Sequence, residues 1–225
     1  GTIVLHRLGN VEGTTISATS LQAPKDAKKA YQKGKDALKK NKAEEAEKHF
    51  QKAVDLYPKY AVAWYELGVL QQKSQKPEDA RKSYQQALAA DSRLILPYLQ
   101  LSMLAVQEKK WEEVVETTNR AVKLDPVDFP QAYFFNSVAN YYLRRMDAAE
   151  KSAREAQKLD TEHRYPKINH VLGVILAEKR DYPAAVEQMR SYLKFSPDAQ
   201  DAETVKKQLV ELEKLSNPSA KTSEQ

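Results

Sequence analysis

The chain has no cysteine. Thiol nucleophiles, disulfides and cysteine-ligated zinc are therefore excluded, although the compartment is not fixed by that. Only six of the 225 residues are glycine, which suits a helical architecture. No run approaches the eighteen apolar residues of a membrane-spanning helix, so no direct membrane insertion is expected. The opening residues GTIVLHRL lack the basic start and long apolar core of a signal peptide. The four histidines (His6, His49, His163, His170) form no H-E-x-x-H motif and no i, i+4 pair. G-x-S-x-G and phosphate-loop patterns are also missing. The expectation is a non-enzyme with no catalytic, metal-binding or cofactor-binding residues and no cofactor.

Arginine is absent from residues 25–59, which hold eleven lysines against six acids. That excess equals the net charge of the whole chain, +5. Such a segment raises the question of nucleic acid, whose phosphates attract lysine. Here the acids alternate with the lysines and aromatics are few. This reads as a solvated helical face, with no nucleic-acid partner expected.

What the chain does have is a period. Residues 61–94 carry Trp64, then Leu67-Gly68, then Ala80, Tyr84 and Ala87. Trp64, Leu67 and Gly68 stand at i, i+3 and i+4, one stripe of a helix. Pro77 suits the first turn of a second helix, where its missing N–H costs nothing. Gly68 and Ala80 are small where larger residues would hold the two helices apart. Ala53, Ala87 and Ala121 repeat the phase at spacings of 34. This pattern resembles the tetratricopeptide repeat, W-x2-L-G…A-x3-aromatic-x2-A, and the chain looks bacterial. The resemblance covers about 170 residues. It implies an all-α, right-handed superhelix (an α-α solenoid) of five helix-turn-helix repeats.

In order, the repeats are expected at 27–60, 61–94, 95–128, 130–163 and 166–199, with a capping helix at 199–215 and a disordered tail at 216–225. The fourth runs one residue out of phase, and its aromatic first helix leaves the register open. Residues 1–24 read as a short β-like segment and linker, with a turn signal at Gly9-Asn10. They resemble the last strands of a small β-sandwich that precedes such arrays in some exported bacterial proteins. That resemblance leans towards the periplasm or cell envelope; residues 21–225 alone fit the cytoplasm equally well.

The family resemblance also implies where function lies. Its first helices line a concave face and hold a partner protein. Carried over by phase, the groove positions include Lys28, Tyr31 and Lys35 on repeat one, and Val62, Tyr65, Val69 and Lys73 on repeat two. Leu96, Leu99 and Met103 follow on repeat three, and Phe134, Val138 and Tyr141 on repeat four. Repeat five supplies His170, Val174 and Ala177. The middle of this set is apolar and its start is lysine-rich, which suits a peptide or amphipathic helix with acidic flanks. The alternative is a structural or assembly module whose groove is filled by its own chain or by a second copy, giving a homo-oligomer. A carboxylate clamp is disfavoured, because its positions hold Tyr31, Lys35, Glu66, Leu96 and Gln100. Asn136 and Asn140 share a helix face; they read either as a hydrogen-bonded contact between repeats or as a holder of peptide backbone.

Overall fold

Alternating small and large side chains on one stripe of each segment dictate paired helices. The computed structural model describes residues 17–217, and every element among them is a helix. A short α1 (Ala18–Leu21) comes first. Five hairpins follow: α2 (Lys25–Lys39) with α3 (Ala43–Leu56), α4 (Ala61–Lys73) with α5 (Pro77–Ala90), α6 (Ile95–Gln107) with α7 (Trp111–Leu124), α8 (Pro130–Tyr142) with α9 (Met146–Leu159), and α10 (Lys167–Glu178) with α11 (Tyr182–Phe195). A last helix, α12, spans Ala202–Ser216. The chain divides into two compact units, residues 1–100 and 101–225.

Each hairpin turns in the same way. Asn41, Gln75, Lys109, Arg144 and Arg180 all adopt positive φ, between 56° and 66°. The backbone N–H of each donates back to the carbonyl three residues earlier, as from Lys109 to Val106. The next N–H reaches five residues back, as from Lys110 to Ala105. This pair of bonds satisfies the orphan carbonyls at the helix end. Glycine is the usual residue there, because it alone has no Cβ to clash. This chain, poor in glycine, uses polar and basic residues instead. Pro77 and Pro130 open α5 and α8 at their first residue, where no N–H is needed.

The hairpins close on pairs of positions sixteen residues apart. Gly34 faces Phe50, Gly68 faces Tyr84 and Gly173 faces Met189. A Cβ added at Gly34 or Gly68 would stand 2.6 Å from a ring carbon. In the third and fourth hairpins the equivalent pairs are Ser102 with Thr118 and Ser137 with Ala153. Where the first helix carries a side chain, the second helix carries a small residue.

In the first unit the core runs through α2, α3 and α4, from Ala27 and Phe50 to Leu67 and Leu70. In the second, Ala105, Val114 and Ala139 join α6, α7 and α8. A larger cluster ties α9 to α12 through Leu172, Ile175, Met189, Tyr192, Val205 and Leu212.

The N-terminal expectation needs correcting. Residues 18–20, read as the end of a β-like segment, are helical. Ser17 caps α1 and donates its hydroxyl to Asp91 Oδ2 over 2.6 Å, and Ser20 Oγ accepts the N–H of Val62. The hydroxyls that suggested a strand make local caps and tertiary bonds instead. The rest of that segment, with its turn signal, and residues 218–225 of the expected tail lie outside the described residues.

Candidate functional site

In the first unit the predicted positions fall on α2, α4 and the start of α6. Tyr31 on α2 is half-buried, its ring 5.5 Å from Phe50 and 5.2 Å from Tyr60. Burial, then the charge of Glu66, raises its phenol above the ordinary tyrosine range. Lys35 forms an ion pair with Glu66 across α2 and α4, at 3.5 Å. Its charge is therefore matched within the unit, which leaves it unsuited to clamp a carboxylate. Val62, Tyr65 and Val69 on α4 are all half-buried. The Tyr65 ring lies 6.0 Å from Tyr84, and burial again raises the phenol. Lys73 is exposed at the end of α4, and Leu96 is half-buried.

Two of the predicted positions meet the chain's own N-terminal segment. Lys28 Nζ donates to the carbonyl of Leu21 over 2.7 Å, and the Val62 N–H is held by Ser20. Leu99 also departs from the expectation. It is only 5% exposed and cannot anchor a partner. Tyr31 and Tyr65 occupy the same phase, but their rings extend past their neighbours and a leucine does not.

In the second unit Met103 is 37% exposed on α6. Phe134, Val138 and Tyr141 on α8 are half-buried. The Tyr141 hydroxyl reaches Glu178 on α10, at 3.4 Å, and Arg144 pairs with the same carboxylate at 3.8 Å. Burial first, then Glu178, raises the Tyr141 phenol. His170 is half-buried, stacked on Tyr192 at 5.1 Å, with Nδ1 3.6 Å from Asp201. Burial, reinforced by the Lys167 charge, lowers its pKa. Lys167 and Tyr192 also donate to Asp201, which directly precedes α12. Asp201 thus joins α10, α11 and the start of α12 at a single carboxylate.

Asn136 and Asn140 do not present open amides. Asn136 Nδ2 donates to Thr118 and Asn119, and its oxygen accepts from Asn140 and Ser152. Both residues are buried, so of their two readings the hydrogen-bonded contact holds. Five polar side chains from α7, α8 and α9 satisfy one another there.

Sequence reasoning missed a cleft of about 710 Å³ bounded by α10, α11 and α12. Val174, Ala177 and Met189 line one side and Leu212 and Leu215 the other. The apolar stripe of α12 was readable through Leu212, and Leu215 is its next member three residues on. Arg180 gave no signal, because its place at the rim follows from the turn geometry. Among the described residues no group of His, Asp or Glu could hold a metal ion, and no helix is long and apolar enough to cross a membrane.

A family model for the tetratricopeptide repeat matches residues 31–95 and 138–200, more than half of the chain. No curated protein matches it. Among solved structures, it is similar to YrrB, described as a TPR protein with an unusual peptide-binding site. Identity is 21% over 85% of this chain and 98% of that one, with a TM-score of 0.70. A MamA RS-1 ArsTM double mutant is 17% identical over 79% of this chain and 99% of its own, with a TM-score of 0.69. Pseudomonas aeruginosa pilF is 19% identical over 87% and 88%, also at 0.69. At these identities the likeness is one of fold.

Proposed function

This chain belongs to the tetratricopeptide repeat family, and we propose that it is a non-enzymatic scaffold holding a partner protein segment on the apolar faces of its first helices. One observation carries the reading. In each unit these helices keep large apolar or aromatic side chains part-exposed, Tyr65 and Val69 in the first, Met103 and Phe134 in the second. Part-exposed residues of this kind, repeated at the same phase, mark binding surface more often than solvated surface. The similarity to YrrB, whose description includes a peptide-binding site, supports a peptide as the ligand class.

In the first unit a partner's apolar side chains would pack against Tyr65 and Val69, with Lys73 attracting acidic flanks; in the second they would pack against Met103 and Phe134. Lys28 and Lys35 contribute less, because each already has a partner in the unit. The test is capture from the native cell's lysate and envelope fractions. The intact chain is compared with a Tyr65→Ala, Met103→Ala, Phe134→Ala variant whose helicity and melting are checked first. A protein retained by the first and lost by the second supports the reading; equal retention refutes it.

A second reading has a specific observation in its favour. Residues 17–21 of the chain itself sit beside Val62 and Lys28. An assembly module that covers this end of the face with its own chain would do the same. Replacing Ser17 and Ser20 with alanine releases that segment. Partner capture that improves in this variant would identify the segment as a competitor for the face.

A further inference from the structure

We propose that the outer face of the first hairpin seats an acidic helix of another protein between Lys29, Lys33 and Lys52. This goes beyond the scaffold reading, uses none of its residues and can fail without it.

The shape is that of a helix seat. Lys29, Ala30 and Lys33 on α2 and His49, Lys52 and Leu56 on α3 bound a cleft of about 340 Å³. Residues 29, 30 and 33 share the side of α2 opposite Lys28, Tyr31 and Lys35, so the cleft is not the groove face. The second hairpin shows what such a face does. The residues 34 places on from Lys29, Lys33 and His49 are Ala63, Leu67 and Ser83, and all three are buried. Ala63 and Leu67 sit in one core cluster with α2 and α3, because the preceding hairpin covers them. Among the described residues no helix covers the same face of the first hairpin. Ala30 is buried at its floor, and Leu56 is 45% exposed at its mouth.

The lining chooses the sign of the occupant. Acids and lysines that alternate along the sequence are sorted by the fold. Asp26 is the one acid that lines the cleft, against three lysines and a histidine. The neighbouring acids of α3 are engaged elsewhere: Glu45 with Lys42 at 3.0 Å and His49 at 3.9 Å, Glu47 with Lys76 at 3.3 Å, Asp55 with Gln51 at 2.8 Å. Among the described residues no ion pair joins Lys29, Lys33 or Lys52 to a carboxylate. The exposed charges of α12 are arranged differently, with Lys206 on Glu203, Lys214 on Glu211 and Glu213 on Arg190. Mixed pairs of that kind are enough to solvate the end of an array. Unmixed lysines add a positive field, which carboxylates on a docked helix would complement while its apolar side chains meet Leu56 and the lysine stems.

The chain's own termini do not supply that charge. Residues 1–16 hold one acid, Glu12, beside His6 and Arg7, and residues 218–225 hold Glu224 beside Lys221.

The experiment uses the full chain and three synthetic peptides. The first is a helix with glutamate on one face around a single leucine. The second replaces glutamate with lysine, and the third keeps the glutamates but carries prolines that prevent a helix. Binding is read by fluorescence anisotropy, and the site by methyl NMR shifts of Ala30 and Leu56. The glutamate helix is expected to bind roughly tenfold more tightly than either control. Replacing Lys29, Lys33 and Lys52 together by glutamine, all at exposed positions, should weaken it by a similar factor while the melting temperature holds. Lys73→Gln should leave it unchanged, and reversing the three charges to glutamate should transfer the preference to the lysine helix. The Tyr65→Ala, Met103→Ala, Phe134→Ala variant should bind the glutamate helix as the intact chain does, so failure here and failure of the scaffold reading are separable. Equal binding of the glutamate helix and either control, or no binding at millimolar concentration, would overturn the proposal. So would shifts confined to other helices, tighter binding of a short DNA duplex, or a stable dimer in which a second copy covers Leu56.

Discussion

Replacing Gly68 by alanine tests the hairpin geometry directly. Alanine in a helix interior is favoured over glycine by about 0.8–1.0 kcal/mol, so the substitution would stabilise an unconstrained helix. Here the new Cβ would lie 2.6 and 2.7 Å from the Tyr84 ring and 3.2 Å from the carbonyl of Ala80. Tyr84 is 0% exposed and its hydroxyl is held by Gln72 at 2.7 Å, so the ring has nowhere to swing. Overpacking of that kind costs about 1–3 kcal/mol, which outweighs the propensity gain by about 1 kcal/mol. For a chain of this length the melting temperature should fall by roughly 2–4 °C. Gly173→Ala is the control. Its neighbours are the terminal methyl of Met189 at 3.2 Å, which can move aside, and the Ala185 carbonyl and Gln188 Cβ at 3.3 Å, so with no rigid ring in the way the change should cost clearly less than Gly68→Ala. Thermal and urea unfolding followed by far-UV circular dichroism gives both values. In a Tyr84→Leu background the Gly68→Ala penalty should vanish, a coupling of about 1 kcal/mol. The reasoning fails if that background leaves the penalty intact, or if Gly173→Ala costs as much as Gly68→Ala.

Further outcomes follow from the same structure. Lys109→Gly and Arg144→Gly should each raise stability by roughly 0.5–1 kcal/mol by removing a Cβ from the left-handed region, and Asn41→Gly by less, as calorimetric melting would report. Asn136→Ala should cost about 2–4 kcal/mol, because Thr118, Asn119, Asn140 and Ser152 lose a shared partner inside the second unit; urea unfolding measures it. Asp201 has its pKa lowered to about 2, chiefly by the Lys167 and Tyr192 hydrogen bonds. Its contribution is therefore complete above the unfolded carboxylate range, near pH 4, and is lost as pH falls towards 2. Because the carboxylate is partly solvent-exposed, the effect is about 1 kcal/mol, and the stability gap between wild type and Asp201→Asn should close over that interval. Ser17→Ala should remove the hydroxyl donor of Asp91 Oδ2, leaving only the Arg93 N–H on Oδ1, and expose residues 17–23 to limited proteolysis sooner than in the wild type.

The parts of the fold that rest on side-chain size and spacing were legible. Gly68, Ala80 and Tyr84 announce a close helix pair, and Pro77 and Pro130 announce helix starts. The hairpin turns were not legible, since Gln75, Lys109, Arg144 and Arg180 carry no turn signal. Their conformation is imposed by the helices on either side. Residues 18–20 misled for a related reason: threonine favours strands locally, but the Val62 N–H offers Ser20 a bond that only the folded unit provides. Of the candidate site, phase could say only which position each residue holds in its own repeat. It could not predict depth, so Leu99 was placed with Tyr65 although its shorter side chain is covered. Asn136 shows the same limit, because its partners lie on neighbouring helices sixteen to eighteen residues away in sequence.

The difference between glycine-bearing first helices (α2, α4, α10) and serine-bearing ones (α6, α8) also acts as a partial identity code among otherwise similar hairpins. In an array of near-copies, the characteristic error is a helix that docks on the wrong neighbour. A serine-bearing helix such as α6 placed against Tyr84 would meet the ring where only a hydrogen fits. A glycine-bearing helix such as α4 placed against Thr118 would leave a hole. Volume alone thus separates the glycine-bearing first helices from the serine-bearing ones. Exchanging α5 with α7 while leaving α4 and α6 in place should fail, whereas exchanging whole hairpins keeps every key in its lock.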